Sequence, residues 1–269
     1  MKLIDKKRMV FSFFINKGWE NHRLNRFHIN LLKRYIGGFD EVIFCIIIDD
    51  INDHETILSF ETAIINLGVK NIQFKIYENT NFRESLVYKR EIVDKMSKLD
   101  GCTFFGHNKG ISYIEQTEDM YKWVAALYYF NLEVGLINYN MNGDCFYGGL
   151  KCYNIRLEDY DENAAGVLPK YNWFYCGTFF WGKYQEIYYL LKNMGREIPP
   201  MMSRWFDEMF PGNILESKWG TSYGNVGADS AIIYSNGENV DNYLHFLYKD
   251  DTWVCDDFYS FYNGVISEI

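Results

Sequence analysis

Apolar positions in the first half of the chain fall into two alternating rhythms. "MVFSFFI" (9–15) and "EVIFCIII" (41–48) are β-branched or aromatic at nearly every position, the pattern of strands buried on both faces. Between them Leu24, Phe27, Leu31 and Tyr35 recur at spacings of three and four, and Gly37-Gly38 closes the helix that this predicts. Asn52 with Glu55 has the form of a capping box for a second helix, with Ile57, Phe60, Ile64 and Leu67 on its apolar face and Gly68 at its end. "IQFKI" (72–76) alternates as an edge or half-exposed strand does. Asn81 with Glu84 opens a third helix through Leu86, Val93 and Met96, which Gly101 breaks ahead of the strand "CTFF". Thr117 or Glu118 begins a fourth, with Trp123, Leu127, Phe130 and Val134 on its buried side.

Four repeats of strand then helix predict an α/β fold: a mostly parallel sheet with helices on both faces. Ligands of such sheets bind beyond the carboxyl ends of the strands. The segments of interest are therefore "NKGW" after the first strand, "DDIND" after the second and "GHNKG" after the fourth.

The second half is less regular. "CFYGGLKCYNI" (145–155) and "WFYCGTFFWG" (173–182) read as strands holding glycines, the latter feeding a helix through Ile187, Leu190 and Leu191. No repeat, low-complexity tract or proline-rich linker divides the chain. The reading is one domain over 1–215 with a small, irregular C-terminal extension over 216–269 packed on it. The aromatic stretch "YKDDTWVCDDFYSFYNG" suits a lid, an acceptor-binding flap or a docking surface.

Composition narrows the possibilities. With 48% hydrophobic and 23% charged residues in 269, the chain has the balance of a soluble globular protein with a sizeable core. No apolar run approaches the roughly 18–20 residues that span a bilayer. "MKLIDKKRMVFSFFINKG" imitates a signal peptide, but its apolar patch is short and no small-residue cleavage site follows, so it reads as a first strand. A net charge of −9 supplies no Lys/Arg excess to displace phosphate counterions, against nonspecific nucleic-acid binding. Six scattered cysteines without a CxxC pair read as free thiols of a reducing cytoplasm.

Several common chemistries are weakened by pattern. "INKGWENH" holds one glycine where a dinucleotide fingerprint needs three, and the Walker, G-x-S-x-G and H-E-x-x-H motifs are absent. What remains is "IIIDD", "GHNKGIS", "WFYCGTFFWG" and "SRWFDEMF", in that order. Together, over roughly residues 9–215, they resemble bacterial GT-A-like glycosyltransferases of capsule, lipopolysaccharide and rhamnan synthesis. That family carries an H-x-K-G element, a strand reading G-N-F-W-W or similar, and an R-x-x-x-E helix.

The resemblance implies a GT-A-like Rossmann-type fold and a set of roles. His107 and Lys109 stand where many GT-A enzymes place a metal-binding D-x-D, so that an ammonium supplies the positive charge that a departing pyrophosphate requires. Gly110 would let the backbone approach the ligand. Metal dependence stays open between Mn or Mg and none. Asp49 and Asp50 are implied contacts of base or ribose hydroxyls, with a turn ahead of the next helix as the plainer reading, and Asn16 and Lys17 are placed for the nucleotide. Gly177, Thr178 and Trp181 are implied at the sugar or acceptor. The motif departs from the family in holding Thr178 for asparagine and Phe180 for the first tryptophan. Glu208 is the implied general base or acceptor-orienting carboxylate, with Asp207 in reserve, although a surface ion pair of Glu208 with Arg204 reads equally from the helical spacing.

The function expected is transfer of a sugar from a nucleotide-diphosphate sugar to a glycan or lipid-linked glycan acceptor. A noncatalytic carbohydrate-binding protein on the same scaffold is the alternative, and an oligomeric interaction module the third.

Overall fold

The computed structural model describes residues 6–111, 117–132, 145–153, 173–175, 178–198, 210–211, 220–226 and 252–269. The alternation read from the first half is realised as β1 (Lys7–Ile15), α1 (Arg23–Tyr35), β2 (Glu41–Ile48), α2 (His54–Ile65), β3 (Ile72–Glu78), α3 (Arg83–Glu91), β4 (Cys102–His107) and α4 (Glu118–Leu132). There follow β5 (Phe146–Tyr153), β6 (Trp173–Tyr175), β7 (Phe180–Gly182), α5 (Tyr184–Asn193), β8 (Gly220–Val226) and α6 (Thr252–Ile266).

The eight strands form one sheet in the order β3-β2-β1-β4-β7-β5-β6, with β8 on the other edge of β5. β1 to β4 are mutually parallel, β7 is antiparallel to β4, and β5 is antiparallel to β6 and β7 but parallel to β8. This is the mostly parallel α/β sheet that the alternation predicts.

Burial explains the strand patterns. β1 is central, and its residues from Arg8 to Phe13 are all buried. Met9, Phe11, Phe13 and Ile15 face α1, α2, α4 and α6, whereas Val10 faces α3 and α5. β3 lies at the edge, which is why its sequence alternates. α4 is apolar on every side because the sheet, α1 and α6 surround it. Phe258, Tyr262 and Val265 of α6 are buried in that same core, so the C-terminal aromatics described here are core packing rather than a lid or flap.

Two helix starts differ from the expectation. The cap of α2 is Asp53, whose carboxylate accepts from Thr56 N (3.1 Å), while Asn52 belongs to the preceding turn. α3 begins at Arg83, two residues after Asn81, with Phe82 at the cap position and no side-chain cap. Gly101 has φ +70°, and a Cβ there would meet the Lys6 carbonyl at 2.5 Å, which fixes the break before β4.

Candidate active site at the carboxyl edge of the sheet

The order 3-2-1-4 reverses between β1 and β4, and three of the polar segments picked out from the sequence follow β1, β2 and β4. The parallel register pairs Ile15 with Ile48, so Asn16 and Asp49 leave the sheet side by side. Asn16, Lys17, Asp49 and Asp50 are all exposed. The Asn16 carbonyl accepts from Trp19 N (3.0 Å), turning the chain into α1. Asp49 Oδ1 accepts from Asn79 Nδ2 (2.7 Å), which orients its carboxylate across the ends of β2 and β3. Asp50 Oδ1 instead accepts from the backbone (2.9 Å) and side-chain (3.2 Å) nitrogens of Asn52, an Asx turn leading into α2.

β4 stops three residues short of β1, with His107 opposite Ser12. Asn108 bridges the gap. Its backbone N donates to the Ser12 carbonyl (3.1 Å), its Oδ1 accepts from Phe14 N (2.9 Å), and its Nδ2 donates to the Phe14 carbonyl (2.8 Å) and to Asn25 Oδ1 (3.2 Å). An amide side chain thus continues the β1 ladder where the β4 backbone has turned away. Asn25 Nδ2 in turn donates to the Trp19 carbonyl (3.1 Å), tying this clamp to the turn after β1.

The next carbonyl, that of Lys109, is held by fully buried His28 of α1 (Nε2 to O, 2.9 Å). A carbonyl only accepts, so Nε2 carries the proton and Nδ1 accepts from the Tyr128 hydroxyl at 2.9 Å. Burial drives the His28 pKa down to about 3, so the ring is neutral at physiological pH. The turn bearing His107 and Lys109 is therefore fixed from both sides. His107 is buried with Nδ1 3.7 Å from Glu84 Oε1 at the start of α3, an ion pair whenever the imidazole is protonated. Lys109 is half-buried.

Gly110 takes φ +86°, and a Cβ there would meet Met120 Sδ at 2.6 Å and Leu24 Cδ2 at 3.1 Å. Its lack of a side chain serves packing between α1 and α4. That packing requires a glycine here on its own, whether or not a ligand approaches the backbone.

β6 and β7 line one edge of β5 as a single broken strand. Tyr147 faces Trp181 and Lys151 faces Tyr175, so four steps along β5 correspond to six along its partner. Ahead of β7, Thr178 is buried at φ 59°, a left-handed conformation that a β-branched residue rarely adopts. Extending the β4–β7 register two places beyond Phe105 and Phe180 sets Thr178 opposite His107, where the pairing ends. Trp181 goes elsewhere. It is 1% exposed, its indole N donates to the Asn131 carbonyl (2.6 Å), and its ring stacks on Phe39 with centroids 5.4 Å apart. It is a core residue, with no face available to a sugar. Gly177, Asp207 and Glu208 lie outside the described residues.

No family model matches the chain, and no curated protein matches it. Among solved structures, the nucleoside-diphosphate-sugar pyrophosphorylase from Vibrio cholerae is similar, at 9% identity and a TM-score of 0.37, covering 81% of this chain and 92% of that one. At these values it assigns no activity.

The residues that shape the site but escaped the sequence reading are Asn25, His28, Asn108 and Tyr128. One signal was present: Asn25 and His28 interrupt the apolar face of α1 at positions adjacent to Leu24 and Phe27, where a helix packed on a sheet has no need of polar side chains. Among the described residues, no three His, Cys, Asp or Glu side chains cluster as metal ligands. No helix among them is long and apolar enough to cross a membrane.

Proposed function

We propose that this chain is a glycosyltransferase that binds a nucleotide-diphosphate sugar along the carboxyl edge of β1, β2 and β4 and passes the sugar to a glycan or lipid-linked glycan acceptor. One observation carries the reading. Asn16 and Lys17, Asp49, and the clamped turn of His107 and Lys109 end three adjacent parallel strands at one edge. Carboxylate acceptors there suit ribose hydroxyls, and cations suit phosphate.

In the proposed reaction Asp49, held by Asn79, receives the ribose or base. Lys17 and Lys109 face the diphosphate. Leaving-group departure concentrates negative charge on the pyrophosphate, and a preorganised ammonium with a histidine donor stabilises that state more than the ground state. Preorganisation is what Asn108 and His28 contribute, because the backbone bearing His107 and Lys109 has no rearrangement left to make. Glu208 would take the acceptor proton, whereas Thr178, with no exposed surface, is corrected to a buried position without a face for the sugar. Cys45 is a buried free thiol, compatible with work in the cytoplasm.

The test is thermal unfolding with uridine and guanosine diphosphates and their sugars, with and without divalent metal. A ligand at a hundredfold its Kd stabilises the fold by about 2.7 kcal/mol, a shift of several degrees for a chain of this size. Lys109→Ala is expected to abolish that shift, and chelation to leave most of it. No shift with any of these ligands would sink the proposal. A donor that binds but is never consumed supports the noncatalytic carbohydrate-binding reading.

A further inference from the structure

β3 ends the sheet, and among the described residues no strand pairs with its outer side. Its hydrogen-bonding parity follows from two contacts: Val42 N donates to the Asn71 carbonyl (2.9 Å) and Asn79 N to the Ile48 carbonyl (2.9 Å). Odd-numbered residues therefore turn their backbone groups toward β2. Ile72, Phe74, Ile76 and Glu78 turn theirs outward.

Natural sheets guard such an edge with charge, proline or a bulge. β3 has neither of the last two, and its one lysine does not guard it. Lys75 bonds to buried Glu91 of α3, which also receives Lys95 (2.6 Å) and the Tyr77 hydroxyl (2.5 Å). The outer side is apolar besides. Ile76 is 46% exposed, and beside the strand Leu58 and Ile65, two turns apart on α2, are 63% and 53% exposed. Phe60 of α2 packs toward β1 against Phe13 and Trp19, so Leu58 and Ile65 lie on the helix flank away from that neighbour.

We propose that β3 pairs with β3 of a second copy of this chain, antiparallel about a two-fold axis at Phe74, joining two sheets into one. The parity requires even-numbered residues to face even-numbered ones, and of the registers that satisfy it the axis at Phe74 is the one that sets Lys70 opposite Glu78. In that register Phe74 meets Phe74, and Ile72 meets Ile76 twice. Exposed Lys70 meets exposed Glu78 twice. The side chains are thus self-complementary in charge in a register that the backbone permits, which is the argument for a second copy over an unrelated extended segment. Residues opposite one another in such a pair share a face. The two α2 flanks therefore meet over the joined strands and cover Leu58 and Ile65, an isologous contact.

Sedimentation equilibrium of the full chain tests this, with a dimer expected. Ile76→Pro removes an N–H that points outward and leaves the bonds to β2 intact, so it is expected to give a folded monomer. Lys70→Glu and Glu78→Lys, both at exposed positions, should each weaken the dimer about tenfold, since each alters two symmetric cross-strand pairs. The double variant should restore it. A chain monomeric at every concentration overturns the proposal, leaving the edge to another protein's extended peptide. So does a dimer indifferent to Ile76→Pro, or a double variant that associates no better than the single ones.

Discussion

His28 shows how one buried side chain couples a turn to the solution around it. Its pKa falls from 6.5 to about 3 on folding because burial penalises the cation. Between those values the unfolded chain binds the additional proton, so stability is complete above pH 6.5 and declines as pH falls toward 3. The decline from this group is up to about 1.4 kcal/mol per pH unit. His28→Gln, which can still donate to Lys109 O and accept from Tyr128, should shrink the difference in urea stability between pH 7 and pH 5 by about 2 kcal/mol. Glu91 acts only at the acid end of that range. Burial opposes its ionisation, but hydrogen bonds from Lys75, Lys95 and Tyr77 outweigh that and lower its pKa below 4.5. Its contribution is present above that value and is lost only in stronger acid, so His28→Gln isolates the upper limb.

At the scale of elements, what the sequence made legible and what it concealed divide along physical lines. β1, β2 and β4 were readable because strands buried on both faces leave continuous apolar runs, and β3 because an edge strand alternates. The break between β6 and β7 was concealed: nothing in the composition of "WFYCGTFFWG" marks the change of register between β6 and β7 or the backbone of Thr178. Trp181 was misread for a related reason, since an indole has the same composition whether it platforms a sugar or fills a core. The ends of β1, β2 and β4 were legible as polar segments that gather at one edge of the sheet. The clamp that holds them was not, because Asn108 and His28 act through tertiary contacts with residues 94 and 81 positions away. Gly110 makes this measurable. Gly110→Ala combines left-handed strain with overlap against Met120 and Leu24 and should cost about 2–4 kcal/mol by chemical denaturation. Gly68→Ala, at φ +80° with nothing within 4 Å of its Cβ, should cost only the strain, and the difference between the two gives the packing contribution.

Across the whole molecule, the two ends of the sheet are secured differently. At the amino end Arg8 draws β1, β2 and β4 together through Glu41 (2.8 Å), Asp100 (3.3 Å) and Thr103 (3.3 Å). The face under α1 and α4 depends on α6, which contributes from the far end of the chain. Phe258, 1% exposed, stacks on Phe130 of α4 with centroids 5.8 Å apart. Phe258→Ala should lose about 3–5 kcal/mol, a large part of the 5–15 kcal/mol that typically holds a domain together. Equilibrium unfolding in urea measures it, and a loss below 1 kcal/mol would contradict this placement of α6.

The Asn108 clamp also has a consequence for timescale. Loops beyond strand ends ordinarily exchange their amide hydrogens through local fraying, independently of the sheet. Here the Asn108 amide is bonded to the Ser12 carbonyl and the Phe14 amide to the Asn108 side chain. These two hydrogens sit at the rim of the molecule, yet they can leave only when β1 and β4 separate. They should exchange at the rate of the central strands, and Asn108→Ala should release the Phe14 hydrogen to the rate of a loop.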